Sequence, residues 1–175
     1  MTDADLFEAF VRRYQDMVFA TAVRLLGNPT DAEDIAQIVF MRAFQRFDEI
    51  GPSATAAGWL KTVTRNMCLN HLSRYRRRWR FFSELGTDDM AEGQDAAESL
   101  AVAAPVVDHL EESELHERLE GALRRLPDHQ RVPLVLFHFE ELGYQDIADA
   151  LGVSLGKVKT DIHRGRVALG RLMKE

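Results

Sequence analysis

The chain has 175 residues, 46% of them hydrophobic, with 22 Lys and Arg against 28 Asp and Glu for a net charge of -6. That length and apolar content suit two small domains or one medium one. The one cysteine, Cys68, excludes an internal disulfide and a cysteine-rich zinc site, and its helical, apolar setting points to a packed thiol. No run of about 18 or more apolar residues offers a membrane span. The opening MTDADLFEAF is acidic and amphipathic, without the basic-then-apolar order of a signal peptide. The expected location is the cytoplasm.

The net acidity is local. Residues 1–82 carry a net +3, residues 83–117 a net -11 with no Lys or Arg, and residues 118–175 a net +2. Two mildly basic modules therefore flank an acidic tether.

In chain order, Leu6, Phe7, Phe10, Val11, Tyr14, Val18, Ala22, Leu25 and Leu26 recur at steps of three and four. They predict a long first helix ended by Gly27-Asn28-Pro29. Thr30-Asp31-Ala32-Glu33 has capping-box form and predicts the start of a second helix. Its apolar residues run through Ile35, Ile38, Val39, Phe40, Ala43, Phe44 and Phe47. Asp31, Asp34, Gln37, Arg42 and Arg46 lie on the other side, as a solvated face or a docking face for a partner.

Asp48 to Ala57 reads as a loop. A third helix follows, with Trp59, Leu60, Val63, Met67 and Leu72 as its apolar face, interrupted by Lys61, Arg65, Asn66, Asn70 and Arg74. It finishes in an arginine-aromatic run from Arg74 through Arg76, Arg77, Arg78 and Trp79 to Phe82. Such a run can neutralise phosphates while its rings stack on bases, or simply solvate a helix end. From Ser83 to about Leu110 periodicity fades, and the composition is that of a largely disordered linker. Leu115, Leu119, Ala122, Leu123 and Leu126 then predict a helix stopped by Pro127, and a further helix runs from about His129 to Phe139.

The last stretch, GYQDIADALGVSLGKVKTDIHRGRVALGRLMKE, predicts a helix from Tyr144 to Leu151 and a turn at Gly152-Val153-Ser154. A second helix follows, with Val158, Ile162, Val167, Leu169 and Leu172 toward the core. Two short helices, a tight turn and a basic second helix form a helix-turn-helix, whose second helix can enter a major groove. A plain helical hairpin with a solvated basic face is the alternative. No strand is predicted, so the fold class is all-α, with two small helical domains: 1–82, an acidic linker 83–112, and 113–175.

Catalytic chemistry finds no residues. There is no phosphate-binding glycine loop, no nucleophile paired with a base, and no metal-ligand spacing among the six histidines. Asp31, Glu33 and Asp34 suit a helix N-terminus without a metal. The sequence implies no enzyme, no cofactor and no metal.

Three stretches, in order, carry a family likeness. DAEDIAQIVFMRAF, AAGWLKTVTRNMCLNHLSRYRRR and LRRLPDHQRVPLVLFHFEELGYQDIADALGVSLGKVKTDIHRGRVAL together resemble the extracytoplasmic-function (ECF) group of bacterial RNA polymerase sigma factors. The resemblance implies that residues 1–82 form a sigma-2 domain. Its Asp34, Gln37, Phe40 and Arg42 would meet the clamp helices of the polymerase's largest subunit. Lys61, Arg65, Asn66, Arg76, Arg77 and Arg78 would contact the −10 promoter element and the separated strand. It implies that residues 113–175 form a sigma-4 domain. This would grip the flap of the second-largest subunit and read the −35 element through Lys157, Lys159, Thr160, His163 and Arg164. An anti-sigma protein is a further partner common in the family.

Several positions depart from the family's pattern. Ile38 stands for a usual Glu, Asp161 for a usual Arg and Lys157 for a usual Thr, so that Lys157 partly offsets the charge lost at 161. Asn70 replaces a usual Asp, Gly143 a usual Ser cap, and Ile50 lies where an aromatic is common. Thr62 and Thr64 lie near the surface the resemblance assigns to polymerase and the −10 element, and are candidates for phosphorylation. Two other readings remain at this point: a sigma mimic that sequesters a regulator, and a stand-alone helix-turn-helix repressor.

Overall fold

The computed structural model describes residues 1–73 and 109–175. The arginine-aromatic run, with Arg76, Arg77 and Arg78, and most of the acidic linker lie outside the described residues. The described residues form eight helices and no strand, in agreement with the all-α expectation.

Helix α1 (Asp3–Leu26) starts from a reciprocal cap. The Asp5 amide donates to the Thr2 hydroxyl, and the Asp5 carboxylate accepts from the Thr2 amide at 2.8 Å. That backbone hydrogen bond holds the Asp5 carboxyl below its usual range. The helix ends at Gly27, whose φ of 66° is left-handed and whose amide donates to the Val23 carbonyl. Helix α2 (Pro29–Gln45) begins earlier than predicted. Asn28, not Thr30, is the cap, its side-chain oxygen accepting from the amides of Thr30 and Asp31 at 2.9 and 3.3 Å. Pro29 occupies the first helical position, where a missing N–H costs nothing.

The expected loop after Asp48 is partly helical. Helix α3 (Phe47–Ile50) buries Ile50, and α4 (Ala56–His71) starts from within the stretch read as loop. Leu60 and Leu72 of the expected apolar face of α4 are buried, but the inward face is rotated from the one predicted. Ala56, Leu60, Thr64, Cys68 and Leu69 are buried, whereas Trp59, Val63 and Met67 only pack on the edge of the core. Thr64 is fully buried and its hydroxyl donates to the Leu60 carbonyl at 2.7 Å. It is therefore closed to a modifying enzyme in this fold; Thr62 is exposed.

Helix α5 (His109–Arg125) begins within the stretch assigned to the linker. Helix α6 (Asp128–His138) follows after Pro127 and buries a continuous run from Arg131 to Leu136. Helices α7 (Tyr144–Leu151) and α8 (Leu155–Met173) form the predicted helix-turn-helix. Gly152 takes φ 65°, and the Ser154 hydroxyl accepts from the Lys157 amide at 3.2 Å. Val158 and Ile162 are core residues of α8, but Val167, expected beside them, is 43% exposed. Asp161 and Gly165 take up the inward face instead.

Helices α1, α2 and α4 pack on one another, as do α6, α7 and α8, and α1 also lies against α5 and α6. One hydrophobic cluster runs through both sets. At this seam the Arg131 side chain, only 3% exposed, reaches the C-terminal end of α1. Its guanidinium donates to the carbonyls of Leu126 (2.8 Å) and Leu25 (3.3 Å) and to the Asp128 carboxylate (2.5 Å). A Cβ at Gly27 would stand 2.6 Å from the guanidinium carbon and push it from its seat, and the positive φ favours glycine as well. A cation at this position complements the partial negative charge of the α1 C-terminus. Around it, Arg24 pairs with Glu120 at 2.7 Å and its guanidinium lies 4.5 Å from the Phe139 ring centre.

Removing the Arg131 guanidinium leaves two buried carbonyls and a carboxylate without their donor. Arg131→Met should lower the unfolding free energy by about 3 kcal/mol, read as a fall in the urea midpoint. Glu120→Gln, which keeps a hydrogen-bonding side chain at the part-buried rim of the same seam, should cost less, about 1–2 kcal/mol. Equal losses in the two variants would show that the guanidinium is not the seated element.

Candidate nucleic-acid and protein interfaces

Helix α8 sorts its side chains sharply. Lys159, Thr160, His163 and Arg164 are exposed. Their spacing puts 159 with 163 and 160 with 164, one turn apart, so the four form one outward face. Its N-terminal end sits beside the turn, where the Ser154 cap anchors the helix. Lys159 lies 5.9 Å from the centre of the Tyr144 ring, which inclines its ammonium toward α7. The face is cationic and exposed, on a helix of the kind that a major groove admits.

Lys157 does not belong to that face. Its ammonium lies 2.7 Å from the Asp161 carboxylate one turn along, with side chains only 20% and 8% exposed. The expectation that Lys157 makes up for the charge lost at 161 meets a physical obstacle: the two charges neutralise each other. A buried carboxylate stripped of its cation costs roughly 3–5 kcal/mol. A surface cation gains about 0–1 kcal/mol from an exposed anion. The internal pair wins.

Asp161 faces the start of α6. Its charge reaches His129, and one turn on, a Cβ at Gly165 would lie 3.2 Å from the Gln130 carbonyl oxygen. His129 is held below the usual imidazole range chiefly by burial, with Asp161 opposing and Lys157 and Arg164 reinforcing the shift. His138 at the other end of α6 accepts a hydrogen bond on Nε2 from the Arg166 Nε at 3.1 Å. Burial, then the Arg166 charge, lower its pKa too.

On α4, the expected contact residues are less uniform. Asn66 is exposed and Lys61 half-buried. Arg65 faces the second helix set, 3.8 Å from the Glu140 carboxylate, which is 3% exposed. Cys68 is fully buried below this row. Its thiol is pushed up to about 12 by burial and, secondarily, by the negative charge of Glu140.

Helix α2 presents the second surface. Asp34, Gln37 and Arg42 are exposed, and Phe40 is half-buried against the core. Between them the sequence-predicted apolar stripe opens outward: Met41 is 64% exposed, Phe44 61% and Ile38 40%. Gln37, Phe40, Met41 and Phe44 line a groove of ≈ 970 Å³ against Phe7, Val11 and Phe19 of α1. The Phe44 ring is braced edge-on by Phe7 at 5.0 Å between centres. Ile38 and Phe44 belong to the apolar spacing of α2, yet both are exposed, and Met41 beside them lies outside that spacing. A signal was present: the apolar positions Ile35, Ile38, Val39, Phe40, Met41, Ala43 and Phe44 on α2 exceed what one roughly 100° buried stripe can hold. An apolar centre edged by Gln15, Asp16, Glu33, Gln37 and Gln45 is the make-up of a protein-docking surface, and Asp34 and Arg42 are exposed on the same helix.

Among the described residues no group of three His, Cys, Asp or Glu could hold a metal, and no helix is long and apolar enough to cross a membrane.

Two family descriptions match the chain: Sigma-70 region 2 over residues 10–78 and Sigma-70, region 4 over residues 116–169. The ECF RNA polymerase sigma factor SigW of Bacillus subtilis is 30% identical, over 99% of this chain and 91% of its own. The ECF RNA polymerase sigma factor SigE of Mycolicibacterium smegmatis is 36% identical, over 93% of this chain and 60% of its own. A solved structure of the sigma factor RpoE from Bartonella quintana, in complex with the anti-sigma factor NepR, aligns over 96% of each chain with 22% identity and a TM-score of 0.49.

Two measurements follow from the titratable groups. The folded chain should leave Cys68 unalkylated by iodoacetamide at pH 8, while the urea-unfolded chain is modified rapidly; equal rates would mean an accessible thiol. For the histidines, a depressed folded pKa means that the unfolded chain binds protons first. Stability should therefore be highest above pH 6.5 and fall as the pH drops below it. A His129→Gln/His138→Gln variant should show a flatter fall in thermal midpoint over that acidic range.

Proposed function

The chain belongs to the sigma-70 family as an ECF-type sigma factor, and we propose that it directs core RNA polymerase to promoters through the two surfaces described above. It is a transcription-initiation factor, in a family of polymerase specificity subunits rather than of enzymes. Residues 1–82 act as the sigma-2 domain, 83–112 as the linker and 113–175 as the sigma-4 domain. The place of action is the cytoplasm, where the polymerase works.

In this reading the α1–α2 groove docks on the clamp helices. Asp34, Gln37 and Arg42 supply polar contacts from the exposed side of α2, and Phe40, Met41 and Phe44 the apolar contact. Ile38, standing where the family usually has Glu, exchanges a charge for apolar area, so this chain's clamp contact relies more on burial and less on ion pairing. Lys61, Arg65 and Asn66 on α4 meet the −10 element together with Arg76, Arg77 and Arg78. Arg65 must first leave Glu140 to do so. Helix α8 reads the −35 element through Lys159, Thr160, His163 and Arg164. Cations there reach phosphates or guanine edges, and Thr and His contribute hydrogen bonds to either.

The observation that carries this reading is the outward face of α8: four groove-compatible side chains on the second helix of a correctly capped helix-turn-helix. The same face weighs against a sequestering mimic, which has no use for DNA-facing cations. A stand-alone repressor is disfavoured by the family match over both regions.

Run-off transcription with bacterial core polymerase on promoter-containing genomic fragments tests it. Added chain should yield discrete new transcripts. Lys159→Ala/Arg164→Ala should reduce them by about tenfold or more, as expected for about 1–3 kcal/mol lost at a base or phosphate contact. Polymerase binding should remain. Unchanged transcripts in the double variant would remove α8 as the reading helix, and absence of polymerase binding by the parent chain would remove the initiation reading itself.

A further inference from the structure

Asp161 is an anomaly on a helix meant to approach polyanionic DNA. It sits on the recognition helix, yet it is a carboxylate, nearly buried, and its nearest charged partner is a cation from the same helix. Of the cations in the first three turns of α8, Lys157 alone is drawn inward; Lys159 and Arg164 are exposed.

We propose that Asp161 is a positioning residue for promoter binding: it holds Lys157 off the phosphate backbone and so limits the sequence-independent contacts that α8 makes. The inference rests on the reading of α8 as the −35 helix and adds to it a role for a residue that faces away from the groove.

Three features of the site support this. The ammonium–carboxylate distance of 2.7 Å is that of a full charge-assisted hydrogen bond. The pair is enclosed by the α6–α8 crossing, where His129 and Gln130 approach Asp161 and Gly165. Enclosure strengthens the pair against exchange with an exposed phosphate and keeps it from being screened by salt. In an isolated helix a Lys placed four residues before an Asp is the weaker orientation of such a pair. Its persistence here therefore comes from tertiary burial, not from helix geometry alone. The other charges facing the pair do not compete for either member. His129 is held below its ordinary range and stays neutral near pH 7, Asp128 is engaged by Arg131, and Arg164 points outward.

The consequence is arithmetical. A cation already neutralised by a carboxylate displaces no counterion from DNA. Each added phosphate contact steepens the dependence of log affinity on log salt by about 0.9, which at 0.1 M salt is about an eightfold gain in affinity.

The experiment uses holoenzyme assembled from the full chain and bacterial core polymerase, on promoter fragments that give run-off transcripts. Affinity is measured between 0.05 and 0.3 M salt, a range that spans about the usual screening regime. Asp161→Asn, which keeps the shape and removes the charge, should steepen the salt slope by about 0.9 and tighten binding about eightfold at 0.1 M, to promoter and to scrambled duplex alike. Lys157→Ala should leave the slope unchanged, because no phosphate contact is lost. Lys157→Ala/Asp161→Asn should return to the parent slope, which a merely structural role for Asp161 would not produce. A parental slope in Asp161→Asn, or a slope flattened by about 0.9 in Lys157→Ala alone, overturns the proposal. Should Asp161→Asn fold poorly, Asp161→Ala, which also removes the charge and leaves no unpaired buried carboxylate, is read by the same slope. A parent holoenzyme that makes transcripts separates failure of this inference from failure of the reading beneath it; one that makes none overturns both.

Discussion

The guanidinium of Arg131 is the point at which the two helix sets become one packed body. It lies almost wholly out of water, and only a group with several donors in a fixed plane could satisfy Leu25, Leu126 and Asp128 together. Two features of α1 exist in register with it: an exposed-carbonyl helix terminus, and a glycine whose missing side chain leaves room for the charge. The Arg24–Glu120 pair and the Phe139 ring close the rim. The seam is thus built from polar and cationic contacts laid over a shared apolar floor. Seams of that kind are more readily parted than wholly apolar ones, because water can resatisfy each group once it enters.

The same economy of charge appears on α8. Lys159 and Arg164, which face outward, have no carboxylate partner among the described residues, while Lys157 is neutralised by Asp161. Net charge along the helix is therefore a poor guide to what DNA would meet. What counts is the charge of the exposed face, and that is decided by the packing of α6 against α8. On α2 the apolar residues follow a parallel rule. Val39 and Ala43 fill the core, while Met41 and Phe44 are left to line an open groove. In each case one helix supplies both the interior and the interface, and the neighbour it packs against draws the line between them.

Much of this was legible in the chain itself. Amphipathic spacing delimited the first helix to Leu26 and placed the helix-turn-helix, whose Gly152 turn and Ser154 cap are local chemistry. The ordered motifs identified the family. Cap choice was harder: Asn28 and Thr30 are both good cap residues, and only the tolerance of the first helical position for Pro29 separates them. Helix α3 is a single turn, too short for periodicity to register. The rotation of α4, which buries Thr64 and leaves Val63 and Met67 at the edge, turns on a few tens of degrees that hydrophobic spacing cannot resolve when apolar residues flank both sides.

The sequence by itself determined the helical class, the order of the two modules, the helix-turn-helix and the residue types available to meet polymerase and DNA, because these follow from local periodicity, capping and motif spacing. Only the tertiary structure decided which of those residues are free to act. Lys157 is tied down, Arg65 is turned toward Glu140, and Arg131 is spent on the seam, while Lys159, Thr160, His163 and Arg164 remain exposed. The physical reason is that charge pairing and burial depend on what a neighbouring helix brings within a few ångströms, and residues 106 positions apart, such as Leu25 and Arg131, carry no local sign that they will meet.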